Sequence, residues 1–269
     1  MDTTSNNVGT LESHRVLTFS GADASSFLQG YLTCDTDELV THAALPGAFT
    51  NLKGRVVANG WVWGNSNEVQ VLVSTSLGEK LGEFLKPYLN FSRTKLDIGT
   101  SAPVVRLNAA PAEAAATGQI YISGHGMLDT TSHESLDDLS ESWLQQSIAA
   151  FEAIVTEPVS DTYLPQMLGL TALGAVSFSK GCYLGQEVVA RAEHRGELKR
   201  VLKRASYNER TLIEPGQNFT DSNNKRAATL ICASAGKALV VTSRTNRGTQ
   251  SWLSNGGPVE LQLEDTPAA

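Results

Sequence analysis

Lys180-Gly181-Cys182-Tyr183-Leu184-Gly185-Gln186-Glu187, continued by Val188-Val189-Ala190-Arg191-Ala192-Glu193, is the stretch on which the reading of this chain turns. Gly181 and Gly185 bracket a tight turn, and the residues after it are good helix formers with apolar side chains at Val188, Val189 and Ala192. The pattern predicts a turn running into a helix, with Cys182 just before the helix start. A helix N-terminus carries partial positive charge and Lys180 lies close by in sequence, so both would stabilise a thiolate at Cys182. A buried structural cysteine is the alternative, because free cysteine commonly packs as a small hydrophobe. Glu187 falls in the first helical turn, where a carboxylate suits the helix dipole with or without a ligand. Together the amide of Gln186 and the carboxylate of Glu187 match the N–H and C=O edge of a fused heterocycle such as a pterin.

Working outward, Arg191, Arg195, Lys199, Arg200, Lys203 and Arg204 form a basic run diluted by Glu193 and Glu197. It reads either as a solvated face or as a groove for anionic groups, the glutamate tail of a folate or RNA phosphates. From Arg200 onward, short β-like runs alternate with Gly, Asn and Pro turns, which predicts a small all-β barrel or sandwich. Upstream, Val16–Phe19 alternates as a strand, and Phe27, Leu28, Tyr31 and Leu32 share one helical face. Ala48–Asn51, Arg55–Trp63 and Glu68–Ser74 read as an antiparallel meander, Leu77–Leu89 as a helix and Arg93–Ile98 as a returning strand. Val104–Asp129 gives two weak strands split by the Ala/Pro-rich Ala109–Thr117, and Ser135–Ile154 an amphipathic helix containing Trp143. The expected class is α+β in three modules: residues 1–100, residues 101–199 with the signature, and a barrel over 200–269.

At 269 residues, with 41% apolar and 18% charged side chains, the composition is that of an ordinary globular protein. No apolar run approaches the roughly 20 residues of a membrane span. Met1–Thr10 is polar and lacks the features of a secretory leader, so a frayed tail is expected there. Cys34, Cys182 and Cys232 are widely spaced, with no metal-ligand pattern, which fits a reducing cytoplasm. A net charge of −7 argues against general nucleic-acid binding and leaves only a local basic patch for that purpose.

The segment from Leu173 to Arg200 resembles the YgfZ family, folate-binding relatives of the glycine-cleavage T-protein, an aminomethyltransferase. The family signature K-G-C-Y-x-G-Q-E is followed by A-R-A and R-G-x-x-K-R, which here read Ala190-Arg191-Ala192 and Arg195-Gly196-Glu197-Leu198-Lys199-Arg200. Gly21-Ala22-Asp23, Phe27-Leu28-Gln29-Gly30, Lys53-Gly54-Arg55 and Leu164-Pro165-Gln166 extend the match over most of the chain. The resemblance implies a GcvT/YgfZ-like ring of modules around a central folate site, ending in a small C-terminal β-barrel. It implies tetrahydrofolate or a one-carbon derivative as cofactor and a role in assembly or repair of iron–sulfur enzymes, including a tRNA-thiolating one. Those enzymes would be the partners, with possible weak tRNA contact.

On the same ground Cys182 takes the central chemical role with Lys180 beside it, and Trp143, Gln186, Glu187, His14, Tyr183 and Arg191 are the expected folate set. His14 stands where a relative has a second folate-contacting Trp. The chain departs from the family's L-Q-G-Q-L-T-N-D helix motif by carrying Tyr31 and Cys34. The T-protein's paired aspartates fall at Ala58 and Asn59, neither of which ionises as a carboxylate. Aminomethyl transfer is therefore the alternative reading, and a tRNA-contacting adaptor using the Arg191–Arg204 run is a third.

Overall fold

A computed structural model of the chain describes residues 7–117, 119–131, 136–195, 198–254 and 257–264. Its first sheet is the expected meander: β2 (His14–Ser20), β3 (Leu45–Thr50), β4 (Val56–Gly64), β5 (Glu68–Ser74) and β6 (Lys95–Ile98) in the order β3-β4-β5-β2-β6, antiparallel throughout. On the Val62 side of the sheet lie α1 (Ala24–Gln29), which buries Ala24 and Leu28, and α2 (Gly78–Leu89), which buries Leu81 and Leu85. β4 is buried along nearly its whole length, because its other side is covered as well. There Trp61, Trp63 and Leu72 pack against Val105, Leu107, Ile120 and Leu128 of a second sheet.

That second sheet has the order β1-β7-β9-β8, from β1 (Val8–Thr10), β7 (Val104–Leu107), β8 (Ile120–Ile122) and β9 (Gly126–Asp129). It corrects two expectations. Val8–Thr10 is not a frayed tail: it pairs with Val104–Arg106, and burial of Thr10 and Leu11 gives the pairing an apolar seat. Residues 1–6 lie outside the described residues. Three strands stand where two were expected, and Pro111–Thr117 forms α3, with Pro at its first position, where the missing N–H costs nothing. The amphipathic helix is α4 (Ser140–Ala149); its expected start at Ser135 lies outside the described residues. For the domains we propose the same three modules, with Val8–Thr10 assigned to the second.

After α5 (Gln186–Arg195), the strands β10 (Arg200–Tyr207), β11 (Asn218–Thr220), β12 (Arg226–Ser234), β13 (Lys237–Ser243), β14 (Gly248–Ser254) and β15 (Gly257–Leu263) close a barrel in the order β10-β13-β12-β11-β14-β15. Closure leaves no exposed sheet edge. Alternation sends Ala205, Leu230, Val240, Trp252 and Leu261 inward. A register shift between Leu230 and Cys232 lets Ile231 and Cys232 join Leu239 and Val241 in the core shared with the first sheet. That shared core fixes the barrel against the meander. Among the described residues, no helix is long and apolar enough to cross a membrane.

Candidate functional site

The signature segment is laid across the end of α1 and the β3–β4 turn, and each tie is visible in the residues. The Thr33 hydroxyl donates to the Ala175 carbonyl at 2.5 Å, and the Ser177 amide donates to the Thr33 carbonyl at 2.9 Å. Thr50 donates to the Leu184 carbonyl at 2.5 Å, while the Leu184 amide donates to Gly30 at 2.9 Å. Gly185 has φ +83, and a Cβ there would lie 2.3 Å from the Asn51 carbonyl oxygen. Only glycine satisfies both conditions at once. The opposing Gly54, φ +67, seats Val188 and Val189 of α5 in the same way.

Lys180 is the central fastener. Its side chain is buried, and Nζ donates to the carbonyls of Leu32 and Cys34, both at 2.8 Å, with the Tyr183 ring 5.4 Å away. Burial lowers the ammonium pKa, partly countered by Cys34, Asp35 and Asp37. The sequence placed Lys180 beside Cys182 as a thiolate stabiliser; in the fold its proton donors are engaged inward, on the backbone of the α1–β3 connection. Tyr183 is buried as well, and burial pushes its phenol up to about 12. Lys180 and Tyr183 thus pin a short arch whose crown, Gly181 and Cys182, is exposed. Cys182 stands four residues before the first residue of α5.

The other two thiols are of a different kind. Cys34 and Cys232 are buried, and burial pushes each up to about 12, so both stay protonated and unreactive. Cys182 is the exposed one. It opens onto a hollow of about 480 Å³ lined by Gly30, Tyr31, Leu52, Tyr88 and Gln186 among others. Tyr31 and Tyr88 pack ring to ring at 4.8 Å, and Leu52 is 73% exposed at the rim. Glu187, which also lines the hollow, pairs with Arg191 across one helical turn at 2.6 Å, both largely exposed. Such a pair is worth little to stability.

The remaining expected residues lie elsewhere. Trp143, from α4, is buried between two histidines: the His125 ring stacks on it at 3.8 Å, and His14 tilts against it at 5.7 Å. His125 Nε2 meets Glu152 Oε2 at 2.8 Å, whose other oxygen accepts from Trp61 Nε1 at 2.9 Å. Burial, with His125 nearby, lowers the His14 pKa to about 3, so its ring is neutral. His14 borders a second, smaller cavity of about 180 Å³, together with Ser74, Leu144, Thr156 and Cys232. This cavity lies where the first sheet, α4 and the barrel meet. Of the eight expected residues, Cys182, Tyr183, Gln186 and Glu187 line the first hollow, His14 borders the second cavity with Trp143 packed against it, and Lys180 and Arg191 line neither. Sequence reading missed the anchors Thr33 and Thr50 and the buried Glu152, His125 and Trp61 group. Thr33 lies in the segment that matches the family's L-Q-G-Q-L-T-N-D motif and Thr50 in the strand read over Ala48–Asn51; the last three are isolated residues with no local pattern.

The position matching the T-protein's aspartates is filled by structure. Ala58 is fully buried, and Asn59 uses both ends of its amide, Nδ2 donating to Ala153 O at 2.7 Å and Oδ1 accepting from Val155 N at 2.9 Å. The basic run is dispersed. Arg191 is paired with Glu187, Lys203 is buried and donates to Asn246 O at 2.5 Å, and Arg204 is held by Glu264 at 2.6 Å and by Ala149 O at 3.0 Å. Gly196 and Glu197 lie outside the described residues. The run is no single groove.

No family model matches the chain. The chain is 30% identical over 217 residues to the tRNA-modifying protein YgfZ of Colwellia psychrerythraea, an alignment covering 69% of this chain and 67% of that protein. With the protein of the same name from Klebsiella pneumoniae it shares 28% identity over 260 residues, 83% of this chain and 80% of that one. Among solved structures, glycine cleavage system aminomethyltransferase T from Bartonella henselae superposes with a TM-score of 0.70 over 97% of this chain and 85% of its own, at 12% identity. At that identity the likeness is one of fold.

Proposed function

This chain belongs to the YgfZ family, and from that membership we propose that it is a tetrahydrofolate-binding helper in the assembly or repair of iron–sulfur enzymes, tRNA-modifying ones included. The observation that carries the reading is the arch between Lys180 and Tyr183. It spends a buried ammonium and a buried phenol on holding one exposed thiol, Cys182, at the mouth of a hollow. A cysteine kept only for packing needs no such support. The name of the relatives, tRNA-modifying protein YgfZ, supports the tRNA-modification side of the reading.

The residues around the hollow fit a reduced folate. Its volume, about 480 Å³, is within the range of small-molecule sites, about 300–1,000 Å³. The Tyr31–Tyr88 pair offers aromatic faces to a flat ring, and Gln186 and Glu187 offer an amide and a carboxylate to its polar edge. The cavity beside His14, about 180 Å³, is below that range, and Trp143 has no free face while His125 is stacked on it. We therefore assign the pterin to the signature hollow, with Tyr31 in place of the family glutamine as one wall. When bound, a folate supplies one-carbon carrier chemistry; the chain's own part is to bind it, orient it and present the Cys182 thiol. With Ala58 and Asn59 in place of carboxylates, aminomethyl transfer lacks its ionisable group.

Calorimetric titration with tetrahydrofolate and folinic acid tests the site. Tyr31→Ala and Gln186→Ala should each weaken binding about tenfold, the loss of one stacking or hydrogen-bonding partner. Absence of heat with any folate would overturn the cofactor. Loss of binding in Trp143→Ala alone would move the ligand to the three-way junction. A Cys182→Ser variant that restores full iron–sulfur enzyme activity to cells lacking the chain would remove the thiol from the function.

A further inference from the structure

One end of the barrel gathers cationic side chains that the signature does not use. Lys199 and Arg200 open β10, Arg226 opens β12, and Arg244 follows the end of β13. The ladders bring them together, with Arg200 opposite Ser243 and Ala228 opposite Thr242. Direct bonds tie the same residues: the Arg244 amide donates to Lys199 O at 3.0 Å, and Arg200 Nη2 donates to Arg226 O at 2.8 Å. Arg247 joins them, its Nη1 donating to Arg244 O at 2.5 Å and Asn246 O at 3.0 Å.

Charge balance sets this end apart. Among the described residues, no ion pair involves Lys199, Arg200, Lys225, Arg226 or Arg244. The nearby Asp221 uses Oδ1 to accept from the amides of Asn223 and Lys225, both at 2.9 Å. Arg200 Nη1 is buried without a partner. In a chain of net charge −7, five cations gathered at one end with no ion pair among the described residues repel one another, a cost that a bound polyanion removes.

We propose that this end of the barrel is an RNA-binding face, with the exposed Arg226 and Arg244 on phosphates and Arg200 behind them, bonded to Arg226 O. The guanidinium fork matches a phosphate bidentately, which lysine does not. Between the arginines stand Ser243 and Thr245, hydroxyl to hydroxyl at 2.9 Å, groups suited to a ribose 2′-hydroxyl. The face shares no residue with the signature hollow or the junction cavity, so it stands apart from the folate assignment.

Fluorescence anisotropy of the full chain with a labelled tRNA transcript tests it. Affinity should fall with salt, with a log–log slope of about −0.7 to −0.9 per phosphate contacted. The double reversal Arg226→Glu/Arg244→Glu should weaken binding about tenfold or more and flatten the slope by about one to two contacts, while Arg106→Glu, exposed on β7, leaves both unchanged. Circular dichroism checks the fold, and Arg226→Gln and Arg244→Gln singly replace the double reversal if it misfolds. The proposal is overturned by no RNA binding at low salt, by a double variant that binds like wild type, or by equal loss in Arg106→Glu. Tighter binding to DNA of the same sequence, or to anionic phospholipid vesicles, also overturns it. Folate titration of the double variant should match wild type, which keeps the two readings separately testable.

Discussion

Replacing Lys180 by Met separates a fastener from an activator. The ammonium makes two charge-assisted hydrogen bonds, to Leu32 O and Cys34 O, each at 2.8 Å in a buried setting. Hydrogen bonds to charged groups contribute about 1.5–3 kcal/mol each, and methionine matches the stem of the side chain while leaving both carbonyls without that donor. Against this stands desolvation, which lowers the lysine pKa in the folded chain, so part of the gain is already offset. The expected net loss is about 2 kcal/mol, read from urea denaturation followed by circular dichroism. The arch should loosen locally, so alkylation of Cys182 by iodoacetamide should become faster or stay level, and cleavage near Gly181 by a dilute protease should rise. A stable Lys180→Met protein whose Cys182 alkylates at least about tenfold more slowly would refute the reasoning, because it would make the lysine a thiolate stabiliser.

Three further outcomes follow from the geometry. His14 is held neutral, its pKa lowered from 6.5 to about 3, so its contribution to stability is full above pH 6.5 and is lost as pH falls toward 3, where the unfolded chain takes the proton first. At about 1.4 kcal/mol per pH unit that interval corresponds to at most about 5 kcal/mol, and His14→Gln should flatten the acid limb of the stability profile. Gly185→Ala combines a left-handed backbone with a 2.3 Å approach to Asn51 O; a loss of at least about 2 kcal/mol is expected, and unchanged urea denaturation would contradict the packing of the arch on the β3–β4 turn. Asn59→Asp turns a carboxylate oxygen toward Ala153 O, where an amide now donates, so the T-protein's acid cannot be restored there without cost. A drop of about 2–3 kcal/mol in unfolding free energy is expected, with no gain of aminomethyl transfer.

Local pattern made a large part of the fold legible. The strands at Val16–Phe19 and Glu68–Val71 alternate at period two, the helix over Gly78–Leu89 repeats its apolar face at three and four, and Gly185 announces a backbone that few other residues tolerate. Weak signals failed where tertiary contact supplies the stability. Val8–Thr10 is three residues long and is a strand only because Val104–Arg106 lies beside it. β11 and the polar-faced β14, Gly248–Ser254, are likewise strands by virtue of barrel closure, not of their own alternation.

By itself the sequence determined the family, the signature turn, the helix after it and the cysteine that turn carries, because each depends on residues close together in the chain. Tertiary structure alone decided what those residues do. It turned the Lys180 ammonium inward onto carbonyls nearly 150 positions away, enclosed Trp143 between two histidines, and split a run of cations, bringing Lys199 and Arg200 together with Arg226 and Arg244 at one end of the barrel. Hydrogen bonds, ring stacking and charge balance act over a few ångströms of space, and distance along the chain carries no record of which groups will come within that reach.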